Sequence, residues 1–499
     1  MDVFYNLLAE SATPGFGKQA TSLLAEAETT LIRMETELKA LSAACDFQRS
    51  RVAALKYIVA PIRILPEDLL IEIFKRVVSG SQQRLDFGFD INIRGIPACR
   101  FKEVLCLSSV CNYWRRVLLA TPHLWVMPMI LNASNASSAY AETTAVMLQR
   151  SFPHPVDILL HLRKPQHAMS RKLIAVVVSS ALRWSSIKAN FDIIPFLQNA
   201  PKGTLPHLSH VELDLQNAPA VQGNQSSSLF VDAPQLSLVS IDINGISRLQ
   251  LPWSQLRQLE LIDEHHPLLV LEAIAQCTSA TRLKLGCNAW RADHATSSGN
   301  VVSLPHLREL ELDIGGGLTM TPIFALFAFP CLKSLEIKMD GISPLSLSTA
   351  FPSFLQRSPN LEKLEISDCD LDAGELSAIL LNIPSLVSLE LYGCTSCVDN
   401  SFFQRLTYHE AAPNPAAPCL RRINFEYVGD DFDEQPILDM IRSRWWTDEE
   451  LQARAVPPKV ARWESITIWG DLEDNRDFME EFQDEIEEIS AEGLALDIQ

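Results

Sequence analysis

Four stretches, PHLRELELDI (305–314), PCLKSLEIKM (330–339), PNLEKLEISD (359–368) and PSLVSLELYG (384–393), repeat one pattern, P-x-L-x-x-L-x-L. The same pattern occurs in PHLSHVELDL from Pro206, PQLSLVSIDI from Pro234 and PCLRRINFEY from Pro418, with degenerate copies at RWSSIKANF, QLRQLELID, ATRLKLGC and RWESITIWG. Ile187, Val211, Val239, Leu259, Leu283, Leu310, Leu335, Leu364, Leu389 and Ile423 head the L-x-L cores, at steps of 24, 28, 20, 24, 27, 25, 29, 25 and 34 residues. Alternate apolar residues mark each core as a short strand with one buried face. Between cores lie helix formers such as PLLVLEAIAQ and AGELSAILLNIP. One strand and one helix cannot close a core, but stacked neighbours can. The array therefore predicts an α/β solenoid over 151–470, with a parallel sheet on its concave side. All steps but the last fall in the range of leucine-rich repeats.

Upstream, PIRILPEDLLIEIF begins at Pro61 and VLCLSSVCNYWRRVLLATPHLWV ends near residue 125. Pro66, Glu67 and Asp68 open the first block where a helix tolerates proline and favours acids. Leu69, Ile73 and Phe74 suggest one apolar stripe, and Leu107, Val110, Cys111, Trp114 and Leu118 a second face. The polar stretch between the blocks is an insertion near 79–103.

Leu65, Pro66, Asp68, Ile73, Phe74, Val110, Cys111, Trp114, Leu124 and Trp125 fall in the order of the F-box pattern, which this segment (61–130) resembles. With the repeats downstream, the chain is similar to fungal-type F-box proteins with C-terminal leucine-rich repeats. The resemblance implies a three-helix F-box that docks on the Skp-type adaptor of an SCF cullin–RING ubiquitin ligase, while the repeats capture a protein substrate. Adaptor contact is then expected from Leu65, Pro66, Leu69, Ile73, Phe74, Leu107, Val110, Cys111, Trp114 and Leu118. A repeat scaffold working independently of ubiquitin is the alternative.

Before this segment, residues 1–60 carry heptads. Leu24, Leu31, Leu38, Cys45 and Val52 are spaced by seven, as are Ala27, Met34, Leu41, Gln48 and Leu55. They predict one long helix, either a coiled-coil homodimer seam or a face packed on the rest of the chain. Residues 131–150 look like a linker. Over 471–499 twelve acids face Arg476 alone, and Phe478, Phe482, Ile486 and Ile489 predict an acidic helix, capping the last repeat or serving as a tail.

The chain has 499 residues and net charge −19, which argues against direct nucleic-acid binding. The start, MDVFYNLLAESATPG, shows no signal-peptide pattern, and LIAVVVSSAL (173–182) is too short to span a bilayer. A cytoplasmic or nuclear location, away from membranes, with eleven reduced cysteines, is expected. Catalytic, metal and cofactor sites are not expected: Cys394-x-x-Cys397 lacks a second ligand pair. The residue inside each L-x-L core points away from the buried side. Glu212, Asp214, Glu260, Glu311, Asp313, Glu336, Glu365 and Glu390 should therefore make the concave face acidic and suited to a basic substrate, with Lys338 and Lys363 giving partial relief.

Overall fold

The computed structural model describes residues 16–63, 65–79, 100–133, 137–162, 168–215, 226–242, 246–264, 267–287, 301–315, 321–340, 350–369, 371–411, 414–429, 432–454, 456–470 and 480–498. The insertion near 79–103 and Phe478 lie largely or wholly outside them.

The described residues form a mixed α/β structure around one parallel sheet of fourteen strands. Its strands are β1 (Met129–Asn132), β2 (Val156–His161), β3 (Trp184–Ala189), β4 (His210–Leu213), β5 (Leu238–Asp242), β6 (Gln258–Glu264) and β7 (Arg282–Cys287). They continue as β9 (Glu309–Gly315), β11 (Ser334–Asp340), β12 (Lys363–Ser367), β13 (Ser388–Tyr392), β14 (Arg422–Glu426), β15 (Ser465–Trp469) and β16 (Ala495–Ile498). Spatial order follows chain order throughout, while β8 (Val302–Ser303) and β10 (Phe327–Ala328) pair separately.

Register explains the repeat. Met129, Ile158, Ile187, Val211, Val239, Leu259 and Leu283 pair in succession. Leu310, Leu335, Leu364, Leu389, Ile423, Ile466 and Leu496 extend the same row. From Met129 to Ile466 every side chain in the row is buried. All ten heads predicted from sequence fall in this row. The leucines of the Pro-x-Leu leads, Leu208, Leu236, Leu307, Leu332, Leu361, Leu386 and Leu420, are buried behind it.

The sheet runs beyond 151–470 at both ends. β1 lies across the boundary of the expected 131–150 linker, and a helix, Ser138–Arg150, occupies most of that segment. Ser137 caps it by accepting from the Tyr140 amide at 3.1 Å. The acidic C-terminal segment forms helix Glu480–Ala491, with Phe482 and Ile489 buried, and then β16, which pairs with β15.

Helices α1 (Phe16–Ile58), α2 (Glu67–Ser79), α3 (Arg100–Val110) and α4 (Asn112–Ala120) precede the sheet. The face expected from Leu107 to Leu118 is not continuous. Cys111 is extended (φ −160°, ψ 167°) and ends α3, while its sulfur accepts from the Trp114 amide at 3.5 Å and starts α4. Phe74 of α2 meets Trp114 edge-on at 4.9 Å. Trp125 is fully buried and donates through Nε1 to the Leu118 carbonyl at 2.8 Å, carrying the helical core into that of the sheet.

Arginines join successive units. Arg183 donates to the carbonyls of Leu148 (2.7 Å) and His154 at the end of helix Ser138–Arg150. Arg357 donates to the Phe324 and Phe327 carbonyls beside helix Thr321–Leu326. Arg444, fully buried, donates to the Leu406, Ala416 and Ala417 carbonyls at 2.9, 2.6 and 3.0 Å. Leu406 ends helix Asn400–Leu406. Each guanidinium thus satisfies carbonyls at the negative end of an earlier unit's helix.

Candidate functional site

Two faces of the molecule carry the residues singled out by sequence. On α2 the apolar residues divide into two stripes at helical spacing. Leu70, Phe74 and Val78 are buried, whereas Leu69, Ile73 and Val77 are 54, 39 and 47% exposed. The period alone merged Ile73 and Phe74 into one stripe, but adjacent helical positions stand about 100° apart. Phe74 and Leu118 are therefore core residues that a partner cannot touch. Val110 and Pro66 are exposed, and Leu65, Leu107, Cys111 and Trp114 are half-buried. Leu105 and Leu119, which the sequence reading did not select, are also exposed.

The polar face of the sheet carries the second set. Glu311, Glu336, Glu365 and Glu390 pair directly across four consecutive strands, where neighbouring strands lie about 4.8 Å apart. Cations interleave this ladder more fully than expected. Lys284 Nζ lies 2.7 Å from Glu311 and 3.7 Å from Glu260. Lys338 reaches Glu336 at 2.5 Å and Glu311 at 3.7 Å. Lys363 bridges Glu365 at 3.0 Å and Glu390 at 2.9 Å. Glu212 sits in a separate cluster, 2.5 Å from Lys188 and 3.4 Å from His210.

Two of the expected contact residues are consequently enclosed. Glu212 and Glu311 are 7 and 8% exposed, because the cations of adjacent strands fold over them. Lys188, Lys284 and Glu212 occupy the same central row as the ladder. Glu336, Glu365, Glu390, Glu260 and Asp214 are half-buried and Asp313 is exposed, so these remain accessible.

The electrostatics divide accordingly. For Glu212 burial acts to raise the carboxyl, but His210 and Lys188 outweigh it and hold the group below its ordinary range. For Glu365 burial dominates, reinforced by Glu336 and Glu390, and the carboxyl lies above its ordinary range despite Lys363. Burial opposes the charged form of Lys363, yet two carboxylates outweigh it and hold the ammonium more firmly than usual. One cation serves two acids: the lysine gains two partners, while its shared charge does not offset the burial of Glu365.

Cys394 and Cys397 are buried, and the Cys397 thiol donates to the Cys394 carbonyl at 3.2 Å. Among the described residues, no group of three or more histidine, cysteine or acidic side chains is arranged to hold a metal. Trp445 and Trp446 are held within the fold. Trp445 donates to Glu492 at 2.9 Å, and Trp446 is 7% exposed beneath Arg454. No described helix is long and apolar enough to cross a membrane. No known family model matches this chain, and no curated protein matches it.

Proposed function

We propose that this chain is the substrate-recognition adaptor of an SCF-type cullin–RING ubiquitin ligase. Its helical unit acts as the F-box that docks on a Skp-type adaptor, and its strands form leucine-rich repeats that capture a protein substrate. The observation that carries this reading is the split of α2 into two apolar stripes. Leu70, Phe74 and Val78 fasten the helix to the core, so Leu69, Ile73 and Val77 are surplus to folding. Exposed apolar side chains on a small helical unit suit a partner interface. Phe74 and Leu118 hold that interface in place from behind.

The repeats offer the substrate surface. Glu336, Glu365, Glu390 and Asp313 would meet basic groups on a substrate, attracting them at a distance and losing that attraction with salt. In this reading the chain catalyses nothing and works by holding a target near a ubiquitin-loaded enzyme. It functions in the cytoplasm or nucleus and engages neither nucleic acid nor membrane. The exposed α1 favours the rival reading, a scaffold independent of ubiquitin; recovery of a cullin with the chain distinguishes them.

The test is Leu69→Asp combined with Ile73→Asp. Both positions are exposed, so the variant is expected to keep the wild-type circular dichroism and melting profile while losing affinity for the purified adaptor. Undiminished affinity would overturn the assignment.

A further inference from the structure

We infer that α1 pairs with α1 of a second copy of this chain in an antiparallel two-stranded coiled coil. The helix runs 43 residues, about 64 Å, and its heptad side chains are exposed. Leu24, Leu31, Met34, Leu38, Leu41, Val52 and Leu55 are each 49 to 69% exposed. A stripe of this length, exposed among the described residues, suits a partner helix, and charge names which one.

Charge along α1 is polarised. Residues 24–38 hold Glu26, Glu28, Glu35 and Glu37 against Arg33, a net −3. Residues 39–56 hold Lys39, Arg49, Arg51 and Lys56 against Asp46, a net +3. The halves are equal in magnitude and opposite in sign. Only an antiparallel copy lays each half on its complement.

The heptad agrees with that orientation. With Leu24 at position a and Ala27 at d, the antiparallel layers set each a residue against a d residue. Leu24 then meets Leu55 of the other copy, Met34 meets Cys45, and Leu38 meets Leu41 across the dyad. Such an arrangement is isologous and closes after two chains. Flanking positions discriminate further. Antiparallel pairing places Glu28 beside Arg49 twice, once on each side of the dyad. Parallel pairing places Arg51 beside Lys56 twice, a repulsion. Arg49 has an intrahelical contact with Asp46 at 3.0 Å, but both side chains are largely exposed, at 81 and 67%. Its other donors remain available to a second carboxylate. The two bodies leave from opposite ends of the coil, so one dimer would present two separated repeat surfaces.

Light scattering on the full chain tests this. The expected mass is twice the 55.7 kDa protomer, falling to one protomer for Leu38→Asp, an exposed position whose change leaves the rest folded. Glu28→Lys is expected to raise the dimer dissociation constant roughly tenfold at low salt, and Glu28→Lys with Arg49→Glu to restore it. A protomer mass for the wild type at micromolar concentration would overturn the inference. A dimer in which the double exchange restores nothing, while Arg51→Glu alone tightens association, would also overturn it by establishing parallel pairing.

Discussion

At the scale of single residues, charge is either enclosed with its partner or shared along a row. Glu212 is the enclosed case. Its folded carboxyl lies below the ordinary range, so the stability it contributes is present above about pH 4.5 and is lost as pH falls through its folded value. Glu212→Gln is expected to cost about 1–3 kcal/mol at pH 7, since Lys188 then faces a neutral amide where the carboxylate stood 2.5 Å away. The difference from wild type should shrink on acidification, as measured by urea unfolding at pH 7 and again at acid pH. Glu365 carries the opposite sign. Its ionisation is disfavoured in the fold, so Glu365→Gln at pH 7 is expected to leave stability unchanged or raise it by up to about 1 kcal/mol, while Lys363 keeps Glu390. Arg444 is a third type. Burial pulls its guanidinium down to about 10, and three carbonyls hold it with no carboxylate among those partners. Arg444→Met orphans those carbonyls, and a loss of about 2–4 kcal/mol is expected in the same assay.

At the scale of elements, the turns after the strands are built tightly. Gly429 follows β14 so closely that an added Cβ would stand 2.1 Å from the Thr395 carbonyl oxygen. Gly429→Ala must move backbone, and a loss of about 2 kcal/mol or more in thermal unfolding is expected. Helix Ala373–Leu381 begins with a capping box, in which Asp372 accepts from the Glu375 amide at 2.7 Å. Much of this was legible beforehand. PLLVLEAIAQ coincides with helix Pro267–Gln276, and the ten strand heads from Ile187 to Ile423 pair in the register their alignment implied. β1 and β16 were hidden for physical reasons. The Pro-x-Leu ahead of β1, Pro122-His123-Leu124, stands two residues farther from the strand head Met129 than in the other units, and the four residues of β16 follow an acidic helical run whose period masks their alternation. The break at Cys111 was equally silent, because an extended cysteine that caps a helix leaves no periodic trace.

At the scale of the whole molecule, register turns local charges into a surface. Lys188, Lys284, Lys338 and Lys363 are distant in sequence from most of the acids they cover, so the burial of Glu212 and Glu311 appears only once the strands are stacked. The acidic face is thus more nearly neutral than its glutamates suggest. The far end of the sheet depends on the last helix and β16, which pairs with β15 and shields its edge. Removing residues 480–499 is expected to expose that edge and cause concentration-dependent aggregation, seen by light scattering, without unfolding the first strands.

If the outward stripe of α2 docks a ligase partner, calorimetric titration of the purified full chain with the Skp-type adaptor reads that docking. Saturable one-to-one binding per protomer is expected for the wild type, abolished in Leu69→Asp with Ile73→Asp while that variant keeps its melting temperature. Absence of binding by the folded wild-type chain, or equal binding by the folded variant, would contradict it.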